Sequence, residues 1–111
     1  MPRRKYIDID KNAMPYTQTI KLGDGNYNFR FSWNAIGRFY IVDLLDDQDN
    51  VIYAGERLVL NQPLWRGIWN PNLPMEPLIP LDDSGKETNI NPANLNETVF
   101  LCVVDGEEDQ S

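Results

Sequence analysis

The sequence contains no histidine and a single cysteine, Cys102, among its 111 residues. Histidine is the commonest general base and transition-metal ligand, so its absence argues against Ser–His, Cys–His and zinc–His chemistry within one chain. One cysteine cannot form an intramolecular disulfide, and Cys102 lies in an apolar stretch where we expect a buried, inert thiol. We therefore predict that the protein is not an enzyme, has no catalytic residues and binds no metal or other cofactor.

Positive charge and long apolar runs are also scarce. Ten Lys and Arg residues stand against 17 Asp and Glu residues, which gives a formal net charge of −7 and argues against nucleic acid as a partner. The one basic cluster, Arg3-Arg4-Lys5, is not followed by the apolar region of a signal peptide. No run approaches the ~20 apolar residues of a membrane span. We expect a soluble protein that binds neither nucleic acid nor membrane.

The composition that remains is that of a globular domain, with 41% hydrophobic and 11% aromatic residues. Helical periodicity is missing nearly everywhere, and short strands alternate with turn signals. We predict a mainly β fold: a small single-domain antiparallel β-barrel or sandwich with a Pro-rich loop and at most one short helical turn. The predicted divisions are an N-terminal polar arm over 1–14, the β domain over 15–105 and an acidic disordered tail over 106–111.

The chain is organised around residues 22–46. Between residues 26 and 34 polar and aromatic residues alternate, so one face of a half-buried strand carries the aromatic side chains Tyr27, Phe29, Phe31 and Trp33. Glycines at 23 and 25 predict a tight hairpin to the preceding strand over 17–22. A second turn over 34–37 leads to a strand over 38–45, which is apolar on both faces. We expect its surplus apolar surface to be covered by loops or by other subunits.

Further strands are predicted on either side of a proline-rich stretch. One begins at residue 51 and continues to residue 60, with a bulge or bend at Gly55. Edge strands are predicted over 78–81 and within 6–10, and a final apolar strand over 98–104. Asn91 followed by Pro92 is typical of the cap and first position of a single helical turn. Asp43, Asp46, Asp47 and Asp49 lack the glycine and the closing glutamate of an EF-hand loop, so we interpret them as a solvated hairpin turn.

Residues 61–80, hereafter the Pro-rich segment, contain the candidate functional residues. Five prolines prevent this segment from forming inner strands of a sheet and make it stiff. Trp and Arg are enriched among interface hot spots, and a stiff loop loses little entropy on docking. The candidate protein-interface residues are Leu64, Trp65, Arg66, Ile68 and Trp69. Two interpretations of the tryptophans stay open, an interface and a lid on one end of the domain, and a sugar-stacking platform is a third.

Several of these stretches together resemble a known family. They are residues 20–22 before the hairpin, 27–34 ending in Trp-Asn, 39–44 with the acidic turn, 55–64 containing Arg57-Leu58-Val59, and the closing strand over 98–105. In this combination the chain resembles the baseplate plug family of contractile-tailed bacteriophages, which was described from a cyanophage. The resemblance covers residues 16–105. The basic cluster at residues 3–5 and the Pro-rich segment do not match the pattern.

The resemblance implies a non-enzymatic structural component of a phage tail baseplate, located in the virion and made in the host cytoplasm. Such a component would plug or fasten the axial junction of tail tube, hub and spike, in several symmetric copies. The implied partners are therefore hub, tube and spike proteins and further copies of the chain. The alternative function is a carbohydrate-binding or other protein-interaction β module.

Overall fold

The computed structural model describes residues 5–23 and 25–104, and the statements below concern this part of the chain. It contains seven strands: β1 Tyr6–Ile7, β2 Tyr16–Leu22, β3 Gly25–Asn34, β4 Phe39–Asp46, β5 Val51–Arg57, β6 Leu78–Asp82 and β7 Val99–Val103. None of the described residues forms a helix, so no helix there is long and apolar enough to cross a membrane. Arg3, Arg4 and the predicted acidic tail lie outside the described residues.

The strands form two antiparallel sheets that pack as a sandwich. One sheet has four strands in the order β2-β3-β4-β5, and the other has three in the order β1-β7-β6. The sheets do not close into a barrel. The predicted mainly β, single-domain fold is thus confirmed in its sandwich form.

The predicted aromatic face of β3 points into the core. Phe29 lies opposite Leu44 and Phe31 opposite Val42, and all four side chains are completely buried. Strand β7, in the middle of the second sheet, is buried at all five positions, which explains its apolar sequence on both faces. The Cys102 thiol is buried there, as predicted. Alternation with period two therefore located the core side of β3 correctly.

Strand β6 contains Pro80 because it is an edge strand. In the antiparallel ladder with β7, Leu78 and Pro80 direct their backbone polar groups away from β7, so the missing proline N–H costs no ladder hydrogen bond. The carbonyl of Leu78 accepts from the Leu64 N–H at 2.9 Å, and that of Pro80 from the Asn61 N–H at 2.8 Å. The Pro-rich segment therefore covers the open edge of the three-stranded sheet.

Strand β5 is shorter than predicted. It ends at Arg57, and the expectation that it continues to residue 60 was wrong. After Leu58, whose N–H still donates to the Tyr40 carbonyl, the chain turns toward the second sheet. The register against β4 shifts on both sides of Leu44, and Gly55 adopts a φ of +82° with its N–H on the Asp43 carboxylate at 2.7 Å. The predicted irregularity at Gly55 is present.

The N-terminal residues contribute to the core. β1 pairs with β7 at the other edge of the three-stranded sheet, as predicted for an edge strand within residues 6–10. Ile7 and Ile9 are buried, at 4% and 3% exposure. The described part of the predicted polar arm is therefore packed onto the sandwich.

The predicted helical turn is present as an isolated hydrogen-bonded turn that does not extend into a helix. The Asn91 side chain accepts hydrogen bonds from the N–H groups of Ala93 and Asn94, and the Leu95 N–H donates to the Asn91 carbonyl. Asn91 thus caps the turn, with Pro92 at its first position.

Candidate functional site

Two buried side chains attach the Pro-rich segment to the core. Leu64 and Trp65 are 7% and 6% exposed, and the Trp65 ring lies 6.2 Å from the ring of Phe29. The backbone N–H of Trp65 donates to the Glu56 carboxylate at 2.7 Å. Charge-assisted hydrogen bonds of this kind are about twice as strong as neutral ones. Trp65 therefore anchors the segment to the four-stranded sheet, and the Leu64 N–H bonds it to β6 of the other sheet.

The backbone then turns outward. Trp65 has a φ of +57° and Gly67 a φ of +78°, and the Ile68 N–H donates to the Trp65 carbonyl at 3.0 Å. Positive φ at two positions within three residues reverses the chain direction. As a result Arg66 is exposed, and the exposed fractions of Ile68 and Trp69 are 39% and 87%.

The segment returns across the end of the four-stranded sheet. The Asn70 Nδ2 donates to the Ile52 carbonyl of β5 at 3.3 Å, and the Asn70 Oδ1 accepts from the Asn72 N–H at 2.9 Å. Farther along, Glu76 lies against Gly23 in the β2–β3 turn, while Met75 is 94% exposed. Two large apolar side chains, Trp69 and Met75, therefore project into solvent from a segment that is attached on both sides.

An acidic turn adjoins this segment. The Asp46 carboxylate accepts hydrogen bonds from the N–H groups of Gln48 and Asn50 and from the Asn50 side chain. The hydrogen bonds from Asn50 and Gln48 lower the pKa of Asp46. Asp47 is exposed beside it. Asp46, Asp47 and Asp49 thus lie at the β4–β5 hairpin turn, as interpreted, whereas Asp43 lies within β4 and accepts from the Gly55 N–H.

A groove of about 550 Å³ lies between the acidic turn and the Pro-rich segment. It is lined on one side by Asp46, Asp47 and Val51 and on the other by Pro71 and Asn72. Among the described residues, no group of three or more Cys, Asp and Glu side chains is placed to hold a metal ion. The groove offers carboxylates and apolar surface, which suit a protein contact better than a small-molecule site.

The five residues predicted for the interface thus occupy two environments. Leu64 and Trp65 are in the core, whereas Arg66, Ile68 and Trp69 are exposed and accessible to a partner. Their role in an interface stays a prediction. Met75 was not among the predicted interface residues, although its position between Pro74 and Pro77 in the same stiff segment could have indicated it.

The chain was compared with models of known protein families. The model of a family described as cyanophage baseplate Pam3 plug gp18 matches residues 4–107. No curated protein matches the chain. The matched range includes the whole Pro-rich segment and begins before β1, whereas the resemblance noted in the sequence covers only residues 16–105. The Pro-rich segment and the N-terminal strand are therefore both within the range of the family.

Proposed function

Because the chain belongs to the family of the cyanophage baseplate plug, we propose that it is a non-enzymatic structural protein that closes or fastens the axial junction of tube, hub and spike in a contractile phage tail. The match over residues 4–107 carries this proposal, since it takes in both sheets and the Pro-rich segment. The protein would be made in the host cytoplasm and incorporated into the virion in several symmetric copies.

The exposed part of the Pro-rich segment supports a role in assembly. Trp69, Met75 and Ile68 are held outward by a segment that is hydrogen-bonded to β5 and β6. A large exposed aromatic side chain on a pre-ordered loop contributes apolar area at low entropic cost. In this proposal Arg66, Ile68 and Trp69 contact a neighbouring subunit, and the buried Leu64 and Trp65 fix their position.

The net charge of −7 also suits binding to other baseplate proteins. An acidic surface is attracted to any basic surface of a neighbouring subunit, which speeds encounter and fixes register more than it adds affinity. Hub, tube and spike proteins are the proposed neighbours.

Quantitative mass spectrometry of purified tail particles tests the location. We expect the chain at a small, fixed ratio to the tail-tube subunit, because an axial plug is present in few copies. Absence from intact particles would refute a place in the virion.

Substitution of Trp69 tests the interface. Trp69→Ala should reduce incorporation into particles at least tenfold, as expected for a hot-spot tryptophan worth about 1.4 kcal/mol or more. Gln62→Ala, at another exposed position of the same segment, is the matched control and should incorporate normally. Equal incorporation of both variants would show that Trp69 does not contribute to the interface.

The alternative function, a carbohydrate-binding module, rests on the same exposed indole. An exposed aromatic ring can stack on the apolar face of a sugar, and Trp69 is 87% exposed. Tryptophan fluorescence titrated with a panel of cell-wall and capsular sugars would then change in the wild type and not in Trp69→Ala. A flat titration throughout the panel would rule against this alternative.

A further inference from the structure

The four-stranded sheet has two ends that differ in charge. The β3–β4 hairpin lies at one end, and the β2–β3 and β4–β5 turns lie at the other. Between them β3 runs from Tyr27 to Asn34, which at ~3.3 Å per residue separates the ends by about 23 Å. Each end can therefore contact a different neighbour.

The end with the β3–β4 hairpin, hereafter the basic end, presents two arginines. The Arg57 guanidinium lies 4.5 Å from the centre of the Phe39 ring, which holds it in place. Arg38 follows the hairpin tip with a φ of +63°, and its N–H donates to the Asn34 carbonyl at 2.7 Å. Neither guanidinium has a carboxylate within 4 Å among the described residues. Ile36, at the tip, is 98% exposed.

A groove of about 400 Å³ adjoins the two arginines. Its other walls come from residues 58–60 after β5 and residues 88–90 before the helical turn, and no carboxylate lines it. The chain as a whole has a net charge of −7, but at this end two positive charges without carboxylate partners lie next to apolar surface. It fits an acidic protein segment that also carries large apolar side chains.

The opposite end, hereafter the acidic end, has the complementary properties. Asp47 and Asp49 are exposed on the β4–β5 turn, and Val51 is 63% exposed beside them. The groove at this end contains no Lys or Arg. Trp69 and Met75 project from the Pro-rich segment that covers the same end. Asp46 is less available because its carboxylate is bound within its own turn, and one oxygen of Asp49 accepts from the Asn28 side chain at 2.7 Å. Asp47 is the carboxylate of this turn that has no hydrogen bond among the described residues.

We infer that the basic end of one copy binds the acidic end of the next copy, head to tail. Arg38 and Arg57 would meet Asp47 and Asp49, and Ile36 would pack near Trp69. A second copy is favoured over an unrelated acidic protein because both complementary surfaces lie on one chain, at ends that cannot reach each other within a copy. The inference rests on the proposed function, which requires several copies.

A contact between two different patches is heterologous, and it forms a closed ring when the rotation between copies closes. This geometry accounts for the exposed apolar side chains at both ends, since each would be covered in a ring. It also predicts strong dependence on salt, because the charge pairs at the contact are only partly buried.

Charge reversal at each end tests the contact. The variant Arg38→Asp/Arg57→Glu makes the basic end acidic. The variant Asp47→Lys/Gln48→Lys/Asp49→Asn gives the β4–β5 turn a net positive charge although Asp46 remains. Asp and Asn at positions 38 and 49 tolerate the positive φ of the native residues, so the turns should survive. Arg30→Gln, which removes an exposed positive charge from the middle of β3, is the control.

Sedimentation velocity of the full chain at about 50 mM salt, and again at about 500 mM, provides the measurement. We expect the wild type and Arg30→Gln to associate at low salt and to dissociate at high salt. Each reversed variant alone should be monomeric, because like charges meet at every contact. An equimolar mixture of the two variants should associate again, since each contact then joins opposite charges.

Three outcomes would overturn the inference: a monomeric wild type, association that survives both reversals, or a mixture of variants that stays monomeric. None of these outcomes decides whether the protein is present in tail particles, so failure of the head-to-tail contact is distinguishable from failure of the proposed function. If circular dichroism shows that the double arginine variant is unfolded, Arg57→Gln replaces it and should weaken association at least tenfold.

Discussion

Truncation of the two tryptophans of the Pro-rich segment should reduce the stability of the protein to very different extents. Trp65 is 6% exposed and packs near Phe29, whereas Trp69 is 87% exposed. Removing a buried tryptophan side chain costs about 3–5 kcal/mol through lost transfer free energy and the cavity that remains. Changes at exposed positions without specific contacts stay within about 0.5 kcal/mol. Trp65→Ala should therefore lower the free energy of unfolding by about 3–5 kcal/mol, and Trp69→Ala by less than about 0.5 kcal/mol.

The expected loss is a large part of the total stability of such a domain. Typical domains unfold with about 5–15 kcal/mol. Since 1 kcal/mol changes the Tm of a domain of about 100 residues by about 4 °C, Trp65→Ala should lower the Tm by about 12–20 °C. Trp65→Phe is the sharper control, because the Trp65 Nε1 has no hydrogen-bond partner among the described residues. Removing that buried N–H offsets part of the lost packing, so we expect less than half of the alanine effect.

Urea denaturation at 25 °C, followed by far-UV circular dichroism, measures these differences. The same m-value in all variants would show that only stability changes. The reasoning is refuted if Trp65→Ala is within about 1 kcal/mol of the wild type, or if Trp69→Ala is as destabilised as Trp65→Ala. Either result would mean that the anchor of the segment lies elsewhere.

Three further predictions concern the fold. Ile9→Ala should cost about 2–5 kcal/mol in urea denaturation, because Ile9 is 3% exposed; no loss would show that residues 5–14 are a free arm. Gly55→Ala should cost about 1–2 kcal/mol, since Gly55 has a φ of +82° and the space around it is open; a neutral result would refute the strain argument. Hydrogen bonds from Ser84 and from the Glu87 N–H lower the pKa of Asp82 from 3.8 to about 2. A lowered carboxyl pKa stabilises the fold above pH 3.8 and loses this effect as pH falls through about 2. The urea midpoint of Asp82→Asn should thus fall less steeply with acid than that of the wild type, and parallel profiles would contradict the assignment.

The candidate site illustrates the limit of prediction from sequence. Its location was predictable, because five prolines and two tryptophans mark a stiff segment without repeating structure. The division between buried Trp65 and exposed Trp69 was not predictable. It depends on the Glu56 carboxylate, which holds the Trp65 N–H, and on the positive φ at Trp65 and Gly67 that turns the next residues outward.

The sequence by itself determined the local structure of this protein. Alternation with period two placed Phe29 and Phe31 on one face of β3, and glycines marked the turns. Only the tertiary structure decided the arrangement of these parts. The order β1-β7-β6 joins residues near the two ends of the chain, and the division into a basic and an acidic end follows from strand pairing. Periodicity reports which side of a strand is apolar, because that depends on neighbouring residues. It does not report which distant segment covers that side, because that depends on contacts between residues far apart in the chain.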